Sequence, residues 1–418
     1  MRHTKPRFLV ILMAALAASA CDSKPPRETP GEPCAAGLTD CDGDGVCETD
    51  ITQRDNCGGC GNKCAGQPHA TATCTHGACG ITCDSGWGDC YHGTSDPDGR
   101  PADGCESELN TPAHCGSCGN SCASACVDGA CQACDDNVAL DSNDPLDAAR
   151  AMDICEGVIS AKWTLANGAD APASPSKYHL GHGNLAKFGE VIVPRLGHKL
   201  LGISSGTARA PGDPDFASPA GFDKDFNGGG HPPGFPRESP ACPGIFTGAV
   251  HDPAGLELQL KVPMWARGLA FDFDFFTYEW PMYVCSTYND FFVALLSPKP
   301  PTAADEDISF DTMGNPISVN AAFVTVCGCN GGPPCMAGGK SFACPKGDAE
   351  LHGTGFDFEG DHASTSWLTT TAPVEPGSTI RIRFATYDSS DQILDSTTLI
   401  DKFRWVPDSP NVGTEPIP

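Results

Sequence analysis

The sequence predicts a mainly β protein, in which an antiparallel β-sandwich domain is preceded by a disulfide-rich, loop-dominated repeat region. Two observations predict this fold class. Most of the 25 cysteines lie before residue 135, in a stretch with few large apolar side chains. Beyond residue 250, apolar and polar residues alternate with a period of two, which is typical of strands that bury one face.

Length and charge limit the class of protein. The chain of 418 residues is long enough for two or three domains and at least one hydrophobic core. It contains 53 acidic and 26 basic residues, for a net charge of −27. Nucleic-acid binding needs clustered lysine and arginine, so we expect no nucleic-acid partner. An acidic surface is instead typical of exported proteins and of proteins that collect divalent cations.

The N-terminus predicts export. Basic residues within the first seven positions precede an apolar segment at 8–18, which is too short to span a bilayer as a mature helix. The Ala-Ser-Ala-Cys sequence that ends at Cys21 resembles the lipobox of bacterial lipoproteins, although leucine is commoner than alanine three positions before the cysteine. We therefore expect a lipoprotein signal peptide at 1–20, a lipid on Cys21 and a Pro-rich tether at 21–33. The protein would then be membrane-anchored, at the outer membrane or cell surface; a plain secretory signal is the alternative.

An internal repeat follows the tether. Two Cys-rich copies, at 34–82 and 83–134, each have a matching set of eight cysteines, and Cys134 follows the second set. CETDITQRDNCGGCGNKC in the first copy aligns with CESELNTPAHCGSCGNSC in the second. Neither copy has enough apolar residues for an ordinary core, so we expect disulfides to replace it, each contributing about 2–4 kcal/mol. The Cys-x-x-Cys pairs 57/60 and 115/118 could instead bind zinc.

The remaining cysteines predict further disulfides, because setting Cys21 aside leaves an even number in an exported chain. The sequence SNDPLDAARAMDIC predicts a helix with Asn143 or Asp144 as its N-cap, which a disulfide would attach to the repeat region. A Gly/Pro-rich stretch from 211 to 243 predicts a long surface loop. We expect two local disulfides among the last four cysteines, with a zinc cluster as the alternative. The candidates are Cys134 with Cys155, Cys242 with Cys285, and the group Cys327, Cys329, Cys335 and Cys344.

The alternating segments predict the strands of the sandwich. They are LELQLKV at 256–262, LAFDFDFF at 269–276, DFFVALLS at 290–297, AAFVTV at 321–326, IRIRFATY at 380–387 and TLIDKFRW at 398–405. Many short strands with turn-rich connections and no helical spacing between them are typical of an antiparallel sandwich.

The same segments carry a family resemblance. FDFDFFTYEWPMYVCSTYNDFFVALLS is followed by GNPISVN and then by STSWLTTTAPVEPGSTIRIRFATYDSSDQILDSTTLIDKF. This ordered set resembles the choice-of-anchor L domain of bacterial surface proteins over about 143–406, most specifically around Glu279 to Asp290 and Asp391 to Ser396. The resemblance implies surface display and brings no catalytic residues or ligand with it. We expect residues 407–418 to be a disordered tail.

Acidic side chains at strand junctions predict a calcium site. If the junctions meet at one end of the sandwich, up to six oxygen-bearing side chains converge, as calcium requires. Two alternatives remain open. The aspartates could cap turns through local backbone N–H groups, or Glu279 and Asp290 could be the paired carboxylates of a polysaccharide hydrolase. The candidate metal ligands are Glu279, Asn289, Asp290, Asp388, Asp391 and Asp395.

A second candidate metal site lies in the first repeat. Asp40, Asp42 and Asp44, followed by Gly45, read as the start of an EF-hand loop. Position twelve of that loop is Ile51, where a bidentate glutamate is required, so an EF-hand is not expected. A looser calcium loop framed by disulfides remains a hypothesis.

Aromatic residues give one more prediction. Alternation assigns Phe271, Phe273 and Phe275 to the core, whereas Tyr278, Trp280 and Tyr283 follow the strand. Aromatic side chains exposed there could stack on glycans.

Taken as a whole, the sequence predicts a lipid-anchored surface protein, not an enzyme, that displays a calcium-dependent β-sandwich for adhesion or ligand binding. The expected partners are the membrane, through the lipid, and a glycan or surface protein. The alternatives are an exported polysaccharide hydrolase and a structural spacer without ligand.

Overall fold

The computed structural model describes residues 33–90, 104–123, 125–172, 177–225, 228–320, 323–329, 331–358 and 362–417. The chain divides into two compact units, 1–82 and 83–418. The boundary falls between the two Cys-rich copies, so the second copy belongs to the same unit as the sandwich. The expected signal peptide, the lipidation site Cys21 and the tether up to residue 32 lie outside the described residues. Within the described part of the chain, no helix has the length and apolar character needed to cross a membrane.

The repeats consist of short antiparallel strand pairs joined by turns. The first copy contains β1–β2 and β3–β4, and the second contains β5–β6, β7–β8 and β9–β10. Their bounds are β1 Leu38–Thr39, β2 Thr49–Asp50, β3 Ala70–Thr75, β4 Ala78–Cys83, β5 Trp87–Gly88, β6 Ser107–Glu108, β7 Asn110–Thr111, β8 His114–Cys115, β9 Cys126–Val127 and β10 Ala130–Cys131.

Both copies have the same disulfide connectivity. In each, the first cysteine pairs with the third, the second with the fifth, the fourth with the seventh and the sixth with the eighth. The cysteines of each Cys-x-x-Cys pair therefore belong to different disulfides, which leaves no thiolates there for zinc. The pairs are Cys34–Cys47, Cys41–Cys60, Cys57–Cys74 and Cys64–Cys79 in the first copy, and Cys83–Cys105, Cys90–Cys118, Cys115–Cys126 and Cys122–Cys131 in the second.

The structure also pairs the eight remaining cysteines of the described residues. Cys134 is bonded to Cys155 and Cys242 to Cys285, as the sequence analysis expects. The last four form two local disulfides and no zinc cluster, Cys327 with Cys344 and Cys329 with Cys335.

The α-helix among the described residues, α1, spans Pro145–Ala151. The Asp144 carboxylate caps it by accepting a hydrogen bond from the Leu146 N–H, and Pro145 occupies the first turn, where its missing N–H costs nothing. The helix buries its alanines against the sandwich. Short 3₁₀ turns in the described residues span Lys177–Gly181 and Ala349–Leu351.

The sandwich contains two antiparallel sheets and a separate hairpin, β19–β20. The first sheet has the order β11-β14-β23-β16-β17, and the second has the order β12-β13-β24-β15-β21-β18, with β22 pairing with both β15 and β25. The bounds are β11 Val158–Thr164, β12 His182–Leu185, β13 Leu200–Ser204, β14 Val250–Lys261, β15 Gly268–Thr277, β16 Phe291–Ser297, β17 Ile317–Ser318, β18 Val326–Cys327, β19 Cys335–Ala337, β20 Lys340–Phe342, β21 Ala363–Ser364, β22 Leu368–Pro373, β23 Thr379–Ser389, β24 Ser396–Val406 and β25 Gly413–Pro416.

The main core lies between the two sheets. The predicted alternation holds, because Phe271, Phe273 and Phe275 on β15 are at most 1% exposed and face the other sheet. The Phe271 ring packs edge-on against Phe384 at 5.0 Å between centroids, and Phe273 lies 4.8 Å from Phe292. These contacts between rings of opposite sheets fix the two layers together.

The other face of β15 departs from the simple alternating pattern. Every residue of β15 is buried, including Asp272 and Asp274, because irregular segments cover the outer face of this sheet. Asp272 is held there by Arg195, at 2.7 Å, and by Arg404, at 3.0 Å. A two-residue period therefore identifies the strand but not the exposure of its polar face.

Two predictions about secondary structure are wrong, one for a strand and one for the C-terminal segment. The segment 321–326 was expected to be a strand, but its described part contributes only Val326 to the two-residue β18. Residues 407–418 were expected to be a disordered tail. Instead, residues 413–416 form β25, which extends the second sheet by pairing with β22. The unpaired N–H and C=O groups at a sheet edge can form hydrogen bonds with such a strand whatever its side chains are.

Candidate cation site at one end of the sandwich

Five buried carboxyl groups lie together at one end of the sandwich, where strands of both sheets begin and end. Because β15 and β23 run toward this end and β16 and β24 run away from it, the acidic residues at their termini meet. We call this group the carboxylate cluster; its members are Asp252, Glu279, Asp290, Asp388 and Asp395, each at most 1% exposed.

Glu279 and Asp290 bracket the connection between β15 and β16. The Asp290 N–H donates to Glu279 Oε2 at 3.0 Å, and the Ser396 hydroxyl donates to Asp290 Oδ2 at 2.7 Å. Burial first, and then the charge of Asp388, raises the pKa of Glu279 well above its ordinary value, against the effect of that Asp290 N–H. The pKa of Asp290 is raised well above its usual range by burial and by Glu279.

Asp388 and Asp395 have no close donors of this kind. Among the described residues, none makes a hydrogen bond of ordinary geometry to their four buried carboxylate oxygens. Burial and the neighbouring Asp290 raise the pKa of Asp388, against the effect of the nearby Ser205 hydroxyl, and burial and Asp388 raise that of Asp395, in both cases well above the ordinary value. A buried oxygen without a partner is costly, so these four oxygens need a proton or a cation.

Two members of the site were missed by sequence reasoning. Asp252 begins a β-bulge in β14 with φ of +45°, and it accepts a hydrogen bond from the Lys224 N–H at 2.8 Å. Lys224 comes from the irregular segment before β14, and its Nζ donates to the carbonyl of Ser204 at 2.7 Å. Burial lowers the pKa of Lys224 to about 8, although Asp252, Asp395 and Asp388 counteract this effect.

Little in the sequence could have revealed these two residues. The Asp-Pro step at 252–253 is a weak signal for an irregularity at the start of a strand. Nothing marks Lys224 within FDKDF. The expectation of a surface loop at 211–243 is wrong at this point, because Lys224 is 3% exposed and faces the cluster.

A serine-rich turn closes the site. Ser205 and Ser396 exchange hydrogen bonds, with Ser396 N–H donating to Ser205 Oγ at 2.9 Å and Ser205 N–H to the Ser396 carbonyl at 3.0 Å. Gly206 follows, and a Cβ there would collide with the Asp395 carboxylate. The glycine therefore allows the backbone to approach the carboxylate closely.

The remaining two predicted ligands differ from the cluster. Asp391 is half-buried, and its Oδ1 accepts a long hydrogen bond, at 3.4 Å, from the Ile393 N–H within its own turn. This agrees with the turn-capping alternative for this residue. Asn289 is buried next to Asp290, and no hydrogen bond to its Oδ1 is formed by the described residues.

The charges of the site do not balance. Fully ionised, the carboxylate cluster has five negative charges and faces one lysine. Such an excess cannot stay buried, because each unpaired carboxylate would cost several kcal/mol. The site must either take up protons, as the raised pKa values indicate, or bind a cation. In the described residues, no three carboxylates of the cluster have oxygens all within 4.8 Å of one another, so a cation would have to draw them closer.

In the acidic loop of the first repeat, the carboxylate oxygens lie closer to one another than they do in the carboxylate cluster. Asp40, Asp42 and Asp44 are joined by Glu48, and one oxygen from each of the four lies within 4.8 Å of the others. Asp40 accepts hydrogen bonds from the N–H groups of Gly45, at 2.9 Å, and Gly43, at 2.7 Å, which lower its pKa. Sequence reasoning missed Glu48 because it compared the loop only with the spacing of an EF-hand.

The proposed glycan platform does not form. Trp280 is 1% exposed and Tyr278 is 6% exposed, because the segment after β15 turns inward. The Tyr278 ring stacks on His362. Tyr283 alone of the three is partly accessible.

The hydrolase alternative loses its structural basis. A glycosidase needs two carboxyl groups that face a bound sugar, but Glu279 and Asp290 are each 1% exposed. A cavity of about 680 Å³ is present, lined by Phe310 to Gly314 and 411–415 among others, but none of the cluster carboxylates lines it.

Comparison with known proteins identifies the sandwich. The family model of the choice-of-anchor L domain matches residues 252–403. The chain contains a choice-of-anchor L domain. The match begins at Asp252 and includes every carboxylate of the cluster, but not Lys224. No curated protein and no solved structure is significantly similar to the chain. The choice-of-anchor L domain, which does not define an enzyme family, and the many disulfides indicate an extracellular or surface protein with a surface-associated β domain.

Proposed function

We propose that this protein binds calcium in the carboxylate cluster and displays its choice-of-anchor L domain at the cell surface for adhesion or ligand binding. The observation that carries the calcium proposal is the set of four buried oxygens on Asp388 and Asp395 that receive no hydrogen bond from the described residues. Oxygen-only ligands and several negative charges favour calcium over softer metals.

Calcium would act on the two loops that the cluster brackets. One loop connects Glu279 to Asp290 and the other connects Asp388 to Asp395. Both carry apolar side chains that are exposed, with Met282 80% exposed and Ile393 52% exposed. Neutralising the carboxylates would hold both loop bases in place, and the loops would offer a preorganised apolar contact surface to a glycan or a surface protein.

Calcium titration followed by thermal unfolding tests the metal. Extracellular calcium modules have dissociation constants of about 0.1–1 mM. At 10 mM calcium such a site would stabilise the fold by about 1.4–2.7 kcal/mol. The melting temperature should therefore rise by about 3–10 °C, and EDTA should reverse the rise.

A matched pair of variants localises the effect. Asp388→Asn should remove most of the calcium response, because it removes an unpartnered anionic ligand. Asp274→Asn changes another fully buried aspartate that lies outside the cluster, and it should keep the response. If wild type and Asp388→Asn respond equally to millimolar calcium, the carboxylate cluster is not the calcium site.

Binding by the loops needs a separate test. A Met282→Ser, Ile393→Ser double variant should weaken binding of the labelled protein on a glycan array or to whole bacterial cells. The same variant should keep the calcium-dependent melting shift, because neither side chain belongs to the cluster. Unchanged binding would place the ligand elsewhere on the surface.

The acidic loop of the first repeat is a second candidate for calcium. The observation that favours it is the mutual approach of Asp40, Asp42, Asp44 and Glu48. An Asp42→Asn, Asp44→Asn double variant should lose one bound calcium ion and keep the disulfides. An unchanged number of ions would leave these residues as the turn formers that their backbone hydrogen bonds describe.

Membrane attachment is proposed from the sequence around Cys21. Mass spectrometry of the mature N-terminus should find a diacylated cysteine at position 21. Cys21→Ala should release the protein into the soluble fraction. Cleavage without lipid would instead support the plain secretory signal.

A further inference from the structure

A second group of buried carboxylates lies where the repeats join the sandwich. Asp135 follows Cys134, Asp153 precedes Cys155 by two residues, and Asp401 lies on β24. All three side chains are at most 2% exposed. The disulfide between Cys134 and Cys155 thus encloses a segment whose two ends each supply a buried acid.

Backbone N–H groups satisfy part of this group. Asp135 Oδ2 accepts hydrogen bonds from His198 N–H at 2.7 Å and Lys199 N–H at 2.6 Å. Asp401 accepts from Arg195 N–H and Lys402 N–H, both at 2.6 Å. These two carboxylates are held in fixed positions by the segment before β13 and by a bulge in β24.

The other oxygens have no close donor. In the part of the chain that the structure describes, no hydrogen bond of ordinary geometry reaches Asp135 Oδ1 or either oxygen of Asp153. Asp153 has a φ of +68°, so its backbone is in the left-handed region, which few non-glycine residues adopt. Burial, the charge and the neighbouring carboxyl group of Asp401, and the charge of Asp135 raise the pKa of Asp153 to about 9, against the effect of the Lys402 N–H.

A glycine marks the space between the two acids. A Cβ added to Gly197 would lie 2.7 Å from Asp135 Oδ2, 2.8 Å from Asp153 Oδ1 and 3.1 Å from Asp135 Oδ1. Three carboxylate oxygens therefore gather around one point. Toward solvent, Asp136 and His198 form a set with Asp135, in which one ligand atom from each lies within 4.8 Å of the others. Asp153 is not part of this set, so an ion bound by Asp135 and Asp136 would have to draw Asp153 closer.

Three cationic side chains near this group are already engaged. The Arg195 guanidinium donates to Asp272 at 2.7 Å, and Arg404 donates to the same carboxylate at 3.0 Å. His198 Nε2 lies 3.1 Å from Asp136 Oδ1 at the surface. The buried Asp135 and Asp153 oxygens thus lack a positive partner among these groups.

We propose that Asp135 and Asp153, together with the exposed Asp136, bind a divalent cation of the calcium type that fastens the end of the second repeat to the sandwich. The unpartnered atoms are all carboxylate oxygens, the ligands that calcium prefers. The ion joins the segment after Cys134, the end of α1 and the loop at Gly197, which Asp401 and Arg195 connect to β24. The Cys134–Cys155 disulfide and the ion then act on the same junction.

Native mass spectrometry of the mature, oxidised chain with added calcium tests this site. Asp153→Asn should carry one calcium ion fewer than wild type, and Asp274→Asn should carry the same number. Asp388→Asn reports on the carboxylate cluster separately. If Asp388→Asn binds as many calcium ions as wild type while Asp153→Asn binds one fewer, calcium binding by the carboxylate cluster is refuted and the junction site stands. An equal number of ions on wild type and Asp153→Asn overturns the junction site.

Three further variants keep the test decisive if Asp153→Asn does not fold. Asp136→Asn changes an exposed side chain and should weaken binding of the same ion. Gly197→Ala should block it, whereas Gly347→Ala, at a φ of +66° against +65° for Gly197 and with open space around it, should not. If zinc binds in place of calcium and His198→Ala abolishes that binding, the assignment to a calcium-type cation is wrong.

Discussion

In the repeats, the buried apolar side chains among the described residues are five cysteines and one alanine, whereas in the sandwich they are mainly phenylalanine, leucine and isoleucine. The pKa values of the acidic side chains also differ between the two regions. Asp40 and Asp50, in the open repeats, have pKa values lowered by hydrogen bonds, while burial raises those of Asp274 and Asp388. One chain therefore uses covalent bonds where its segments are too short and polar to form a core, and burial where strands can stack.

Reduction of the disulfides should separate the two regions most strongly. With all disulfides reduced, residues 34–134 should lose their structure, because no apolar core remains to hold them. The main core between the two sheets contains no cysteine and should persist. Hydrogen exchange of reduced and oxidised protein measures this directly. Amides that stay protected in the reduced repeats would show that the two regions are held by the same forces.

Removing a core ring tests the other half of the comparison. Phe384→Ala should destabilise the sandwich by about 3–5 kcal/mol, since the ring is fully buried against Phe271. Val127→Ala, at a half-exposed position in the second repeat, should cost less than about 0.5 kcal/mol. Urea unfolding followed by circular dichroism measures both. Equal losses would contradict the assignment of the core to the sandwich.

The buried acids give a pH dependence. Burial and the charge of Glu350 raise the pKa of Asp274 to about 8 in the folded protein, against about 3.9 in the unfolded chain. Between these values the folded state binds the extra proton, so its stability falls as pH rises. Asp274→Asn removes this effect and retains an acceptor for the Ser364 hydroxyl.

The stability of Asp274→Asn should therefore increase relative to that of wild type as pH rises. From pH 5 to pH 7 the difference in unfolding free energy should shift by about 2.7 kcal/mol in favour of Asp274→Asn. The other buried acids are common to both proteins and cancel. A difference that stays constant with pH would mean that Asp274 is ionised throughout.

The smallest effect concerns the helix at the junction of the two regions. Asp144→Ala removes the N-cap of α1 and should cost about 1 kcal/mol. The disulfide Cys134–Cys155 encloses this helix, so the cost should appear as local fraying detected by hydrogen exchange. Asp144→Asn is the control, because asparagine caps equally well. Fraying in both variants would indicate that charge, and not capping, matters at this position.

Prediction from sequence succeeded where local pattern was sufficient. Alternation located β14, β15, β16, β23 and β24, because a two-residue period is a direct consequence of strand geometry. Asp144 and Pro145 located the start of the helix. The pairing of Cys134 with Cys155 could be expected because few cysteines remained. The connectivity within the repeats could not, since eight cysteines allow 105 arrangements.

The candidate site was predictable in part. Glu279, Asp290, Asp388 and Asp395 stand at strand ends, and antiparallel pairing brings such ends together. Asp252 and Lys224 were not predictable, because one depends on a bulge and the other on the path of an irregular segment. The burial of Tyr278 and Trp280 depends equally on how the chain turns after β15.

Composition and hydrophobic period divide the chain into a region held by disulfides and a region of stacked sheets, because they decide whether a segment can bury an apolar face. Which acids share a buried space, which lack a close donor, and where Lys224 and Gly197 lie among them depend on the folded chain. The ionisation and ligand binding of a carboxylate follow from its solvation and from neighbours that are distant in sequence, so local pattern does not reveal them.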